Sequence, residues 1–288
     1  MTRTTTIDVR TKWDKLVLEL KNLRHDDIGA LVPLCIGIQS VLSPTENYES
    51  CLRNLQFMGF ELLKSCELKS ALERWQRLRE FLFNEKGFEL SSVAAPQIGE
   101  EVLLMQPVLQ KRAGHPLPLA FILLNLAGRL ELPMALIQAR HHFLLRWVRP
   151  GETVYLDLYN QARALSEAEL IQVLNRSASN LEVWSSKQLM FQYLELLRGA
   201  FERARSLLQL HTVFNLLLQL DDANTAILGQ RALLRQKLGL TREALTDLKR
   251  YFSFVEKAHA PFELRQCLQE LEYSPTEACS RPTTEFLH

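Results

Sequence analysis

Residues 116–130 constrain this chain more than any other stretch. Pro116 and Pro118 cannot sit inside a helix but fit its first turn. A helix therefore starts there and runs through Leu119, Leu123, Leu126 and Leu130. It is apolar on nearly every face, so it must be buried all round as the central helix of its unit. The period then changes from helical to extended. Residues 134–138, 142–148 and 153–158 are short runs rich in aliphatic and aromatic side chains. Arg149-Pro150-Gly151-Glu152 between the last two is a hairpin turn, because Pro fixes φ and Gly permits a positive φ. The expectation is one small antiparallel sheet packed on the central helix, with no other β-structure in the chain.

The flanks read as helices, making the fold class α+β and mainly helical. Asp26-Asp27 can cap an apolar helix over 28–42. Ser43-Pro44-Thr45-Glu46 reads as a capping box with Pro at the first helical position, leading into Cys51, Leu55, Met58 and Leu62. A helix follows over about 70–83. Another is expected over 100–112, with Gly114 as its C-cap. Ser166-Glu167-Ala168-Glu169 is a second capping box. Helices are then expected at 167–175, 181–197, 199–208, 212–220, 223–237, 241–257 and 261–271. In the pair 223–257, Ala232, Gly239, Ala244 and Leu248 fall where a 34-residue tetratricopeptide unit wants small residues, a turn and a packing residue. Helical hairpins of any bundle show a similar pattern. The expected division is an N-terminal helical segment (1–88), a core (89–179), a tetratricopeptide-like helical region (180–272) and a loose polar tail (273–288).

With 47% hydrophobic and 23% charged residues in 288, the chain has the composition of a globular protein. A formal net charge of +1 gives no electrostatic reason to expect nucleic acid or an anionic membrane as partner. Residues 1–15 lack the apolar core of a signal peptide. The longest apolar run, 117–126, falls well short of the roughly 20 residues that span a bilayer. The five cysteines, Cys35, Cys51, Cys66, Cys267 and Cys279, form no CxxC pair. Reduced thiols in the cytoplasm are the simplest expectation.

Several stretches carry a family resemblance. They are Phe81-Leu82-Phe83 to Gly87-Phe88, Val108-Leu109, and Arg112-Ala113-Gly114-His115-Pro116-Leu117-Pro118-Leu119. Leu126-Ala127-Gly128-Arg129-Leu130, His142-Phe143-Leu144-Leu145-Arg146 and Tyr155-Leu156-Asp157 continue the series, and residues 228–248 follow. Over about 80–250 the chain resembles the bacterial SirB-type family, in which a transglutaminase-like core precedes tetratricopeptide-like helices. Residues 93–100 lack the aromatic and the Asn usual in that loop, and Arg140-His141 replace the usual Pro and Gly. The resemblance implies a fold related to papain-like thiol enzymes, generally without the thiol.

The active transglutaminase layout needs a Cys at a helix N-terminus, where the dipole and an imidazole stabilise its thiolate. A His then acts as base and acid, and an Asp orients it. The resemblance puts His142 and Asp157 at the last two positions, a remnant dyad. It puts Pro116 at the first, where it supplies no nucleophile. No Cys lies between residues 67 and 266. Read without the resemblance, His142 is a strand residue bonded to backbone or to Asp157, and Asp157 is a carboxylate that pairs with His142 or caps a turn. His141 and His142 are adjacent on a strand, point to opposite faces and make a poor metal pair. His115 reads as a loop residue before a Pro. Ser91 or Ser92 could serve a hydrolase, but neither sits in a Gly-x-Ser-x-Gly elbow. Lys111, Arg112, Arg129, Arg140, Arg146 and Arg149 read as a solvated surface or a basic rim, and Trp147 and Tyr155 as core. These features fit a cytoplasmic, non-catalytic interaction or regulatory protein that takes a protein or peptide partner at its helical end, without cofactor or metal. The alternative is a hydrolase or amide-transfer enzyme using His142 and Asp157 with an unidentified nucleophile.

Overall fold

The structure, a computed structural model, describes residues 2–44, 48–91, 97–139, 142–174 and 182–273. It is mostly helical with small sheets, an α+β fold. The chain divides into two compact units, one of residues 22–193 and one joining residues 1–21 to 194–288. None of the described helices is long and apolar enough to cross a membrane.

The unit of residues 22–193 is built on helix α6 (Pro116–Arg129), in which residues 117–124, 126 and 127 are all buried. Helices α2 (Leu31–Leu42), α3 (Glu49–Ser65), α4 (Ala71–Arg79) and α5 (Met105–Lys111) pack against it. The sheet comprises β3 (Met134–Ala139), β4 (His142–Arg149), β5 (Glu152–Asp157) and β6 (Arg163–Ala164), antiparallel in that order. Gly151 takes the positive φ of 83° that the hairpin turn requires. On one face of β4, the Trp147 ring meets Trp75 of α4 at 6.0 Å between centroids. On the other, Leu144 and Ile137 form a cluster with Leu170 of α7 (Glu167–Leu174). The Ser166–Glu169 capping box is present, with both reciprocal bonds made.

Several expectations are corrected here. The antiparallel sheet is not the only β-structure, because β1 (Glu89–Leu90) and β2 (Ala113–Gly114) pair in parallel. The helix expected over 100–112 is a 3-10 turn, Glu100–Val102, followed by α5. The residue that ends α5 in the left-handed conformation is Arg112, at φ 57°. Gly114 instead lies in β2, where a Cβ would come within 2.8 Å of Val108 Cγ2. It is a close-approach glycine, not a cap. Asp27 makes no side-chain capping bond. Helix α3 starts at Glu49 rather than near Pro44, and the proposed box residues Thr45 and Glu46 lie outside the described residues. Beyond α4 the chain continues as a π-helical turn, Glu80–Glu85.

The other unit contains α1 (Thr2–Lys21), residues 194–203 of α8 (Ser186–Arg203), α9 (Leu207–Leu220), α10 (Thr225–Lys237), α11 (Thr241–Phe254) and α12 (Phe262–Tyr273). The break expected after residue 197 does not occur, because a single Gly199 is tolerated inside a helix at a cost of about 1 kcal/mol. The turn comes at Arg205, left-handed at φ 55°. There Ser206 N–H donates to Phe201 O and Arg205 N–H to Glu202 O, a Schellman ending. The same pair of bonds closes α10 at Gly239, φ 74°. Ala232, Ala244 and Leu248 are fully buried between α10 and α11. Of the expected loose tail, 273–288, Tyr273 is the last residue of α12 and residues 274–288 lie outside the described residues.

Candidate functional site

The start of α6 is held from both sides. Before it, Glu89 N–H donates to Arg112 O, Ser91 N–H to Gly114 O and His115 N–H to Val102 O, each within 2.9 Å. These bonds hold β2 and the extended residue His115 in line with the start of the helix. Pro116 occupies the first helical position, where its missing N–H costs nothing. His115 is the N-cap, and its Nδ1 accepts from Leu117 N–H at 3.2 Å. An accepting Nδ1 implies a neutral ring with its proton on Nε2. Burial pushes the His115 pKa down to about 4, which keeps the ring neutral near pH 7. The Phe143 ring packs edge-on against it, 6.0 Å between centroids.

His142 follows the opposite course. Neighbouring strand residues point to opposite faces, so His142 stands on the face of β4 away from Phe143 and His115. Its ring is exposed and meets Tyr159 at 4.7 Å between centroids. Asp157 shares that face, because its register partner is Leu144, two residues along from His142. Asp157 is only 6% exposed. Its Oδ1 accepts from Tyr159 N–H at 2.9 Å, and its Oδ2 from Asn160 Nδ2 at 2.5 Å. It thereby caps the 3-10 turn Leu158–Asn160. Burial, and then the charge of Asp157, raise the Tyr159 pKa. Among the described residues no hydrogen bond or ion pair joins His142 to Asp157. Tyr159 lies between the two, its backbone bound to one and its ring against the other. Tyr159 and Asn160 were not singled out from the sequence. The available signal was an Asp ending a strand with polar groups two and three residues on, the pattern of an Asx turn.

The remaining candidates separate cleanly. Ser91 contributes its backbone to the β1–β2 pair, while Ser92, Arg140 and His141 lie outside the described residues. Trp147 is 1% exposed and Tyr155 packs on the Ile137–Leu144–Leu170 cluster, so both are core. Arg149 pairs with Glu152 across the hairpin and stands over the Trp147 ring at 4.7 Å. Cys35, Cys51, Cys66 and Cys267 are all buried. Burial pushes the Cys35 thiol up and the Cys51 thiol up to about 11; it also raises Cys267, with Glu270 adding to the effect. That is the reverse of an activated thiolate. Among the described residues no three His, Cys, Asp or Glu side chains converge as a metal site requires.

Comparison with curated proteins returns no match. A family model does match, over residues 49–196, just over half of the chain. The matched span runs from the first residue of α3 into α8 and takes in α6, the sheet and the His142–Tyr159–Asp157 cluster. The chain belongs to the transglutaminase-like superfamily.

Proposed function

We propose that this chain is a non-catalytic interaction or regulatory protein of the cytoplasm. It is of the SirB type, with a transglutaminase-like core that has lost its nucleophile and a tetratricopeptide-like end that binds peptide. The observation that carries the reading is Pro116 at the first position of α6, the position to which the resemblance assigns the Cys of the active layout. The imidazole beside that position belongs to His115, which is turned inward as a cap and packed on Phe143. Support also comes from the buried, unactivated thiols described above. At the helical end, the small residues Ala232 and Ala244, the buried Leu248 and the left-handed Gly239 match what a tetratricopeptide hairpin uses to bring two helices close.

Affinity capture from native cells, followed by cross-linking mass spectrometry, tests this. The full-length chain should retain a stoichiometric partner whose cross-links concentrate on residues 202–273. A His142→Ala/Asp157→Ala variant should retain it equally. Amide hydrolysis or amide transfer by the wild type that disappears in His142→Ala would overturn the proposal in favour of an enzyme.

A further inference from the structure

Helices α9 and α10 are joined by a short connection and run antiparallel. Each turns an apolar stripe to the same groove. On α9 the stripe is Leu207, Leu210 and Phe214; on α10 it is Leu233 and Leu234, bracketed by Gln230 and Lys237. These positions recur at three- and four-residue spacing, so each set lies along one helix face. Leu210, Phe214 and Leu234 are buried in its floor, whereas Leu207 is 39% exposed on its wall. The groove holds about 540 Å³. That lies within the size range of ligand clefts and suits a few apolar side chains of a short segment.

Charge distinguishes one end of this groove. The N-terminus of α9 and the C-terminus of α10 lie together there, bringing Arg205 and Lys237 to the same rim. Both side chains are exposed, and neither forms an ion pair among the described residues. The acidic residue on the rim, Glu202, already accepts a bond from Arg198 at 3.1 Å. The rim therefore offers cationic donors beside an apolar trough.

We propose that this groove binds an acidic amphipathic peptide segment, with apolar side chains at helical spacing in the trough and a carboxylate against Arg205 and Lys237. The proposal deepens the peptide-binding reading given above and rests on it. Helix-in-groove recognition of this kind takes its affinity from the apolar anchors and its selectivity from the charged rim.

The probe is a fluorescein-labelled twelve-residue peptide with two leucines three residues apart, flanked by glutamates. Its anisotropy is followed on titration with the full-length chain. One control peptide carries lysines in place of the glutamates, and another carries serines in place of the leucines. The acidic leucine peptide should bind, and more weakly as salt rises. Affinity should fall about tenfold in Arg205→Glu/Lys237→Glu, a variant confined to exposed side chains, and the lysine peptide should gain there. Circular dichroism confirms that the variant folds. Equal binding of acidic and basic peptides, unchanged affinity in the charge-reversed variant, or no binding of any peptide overturns the proposal. A cellular partner captured equally by wild type and by Arg205→Glu/Lys237→Glu would also overturn it, while leaving the peptide-binding reading intact.

Discussion

The bond from Leu117 N–H to His115 Nδ1 exists only while that nitrogen is unprotonated. Because burial holds the folded pKa near 4, below the ordinary 6.5, the unfolded chain binds the proton more readily between those values. Stability from His115 is therefore fully present above about pH 6.5 and is lost as pH falls toward 4. The loss should be on the order of 3 kcal/mol. Urea midpoints between pH 7.5 and 4 should show that slope, and His115→Gln should flatten it. A slope that survives the substitution would assign the acid sensitivity to other groups. His142 and Asp157 make a contrasting pair. Asp157→Ala removes a buried cap and should cost about 1–2 kcal/mol. His142→Ala, at an exposed position, should stay within about 0.5 kcal/mol. A double-mutant cycle in denaturant should return a coupling below about 0.5 kcal/mol, whereas a hydrogen-bonded dyad would exceed it. The sequence made both residues visible and set them on neighbouring strands. It left open whether Asp157 pairs with His142 or caps a turn, because that depends on where the 3-10 turn begins.

At the scale of elements, α10 and α11 are held by charge as well as by their small residues. Arg231 grips Asp247 through two bonds, Nε to Oδ2 at 2.8 Å and Nη2 to Oδ1 at 2.6 Å. Arg235 donates to the same carboxylate at 2.8 Å and to His211 Nε2 on α9 at 3.1 Å. Both guanidiniums also reach Asn215 Oδ1. Asp247 is 3% exposed, so removing it strands two largely buried cations. Asp247→Ala should therefore cost about 3–5 kcal/mol, read as a lowered melting midpoint of the helical unit. The helical period and the small residues of this hairpin were legible because they repeat along one sequence. The polar network was not, because Asn215, Arg231 and Asp247 come together from three helices. Likewise, the β1–β2 pair was missed because two residues per strand carry no period to read. Gly114 was mistaken for a cap because its actual constraint is the Val108 side chain beside it.

For the whole molecule, chain order and spatial grouping differ. The sequence places boundaries near residues 88 and 179, whereas the contacts group residues 1–21 with residues 194–288. Apolar periodicity shows that a helix has a face to bury but not which distant helix will cover it. In the structure α1 packs against α9, with Leu16 and Leu20 buried to 2% and 0% exposure. Leu20→Ala should thus remove a fully buried side chain and leave a cavity, costing about 2–5 kcal/mol. The location of the loss is the sharper test. Local stability follows the cooperative unit to which a contact belongs. Hydrogen exchange in Leu20→Ala should therefore speed up in α9 and α10, at the far end of the chain. The amides of β3, β4 and β5 should keep their protection, because they belong to the other unit. Loss of protection in the sheet instead of α9 would mean that α1 stabilises the superfamily core. An unchanged exchange pattern throughout would mean that α1 is dispensable to both.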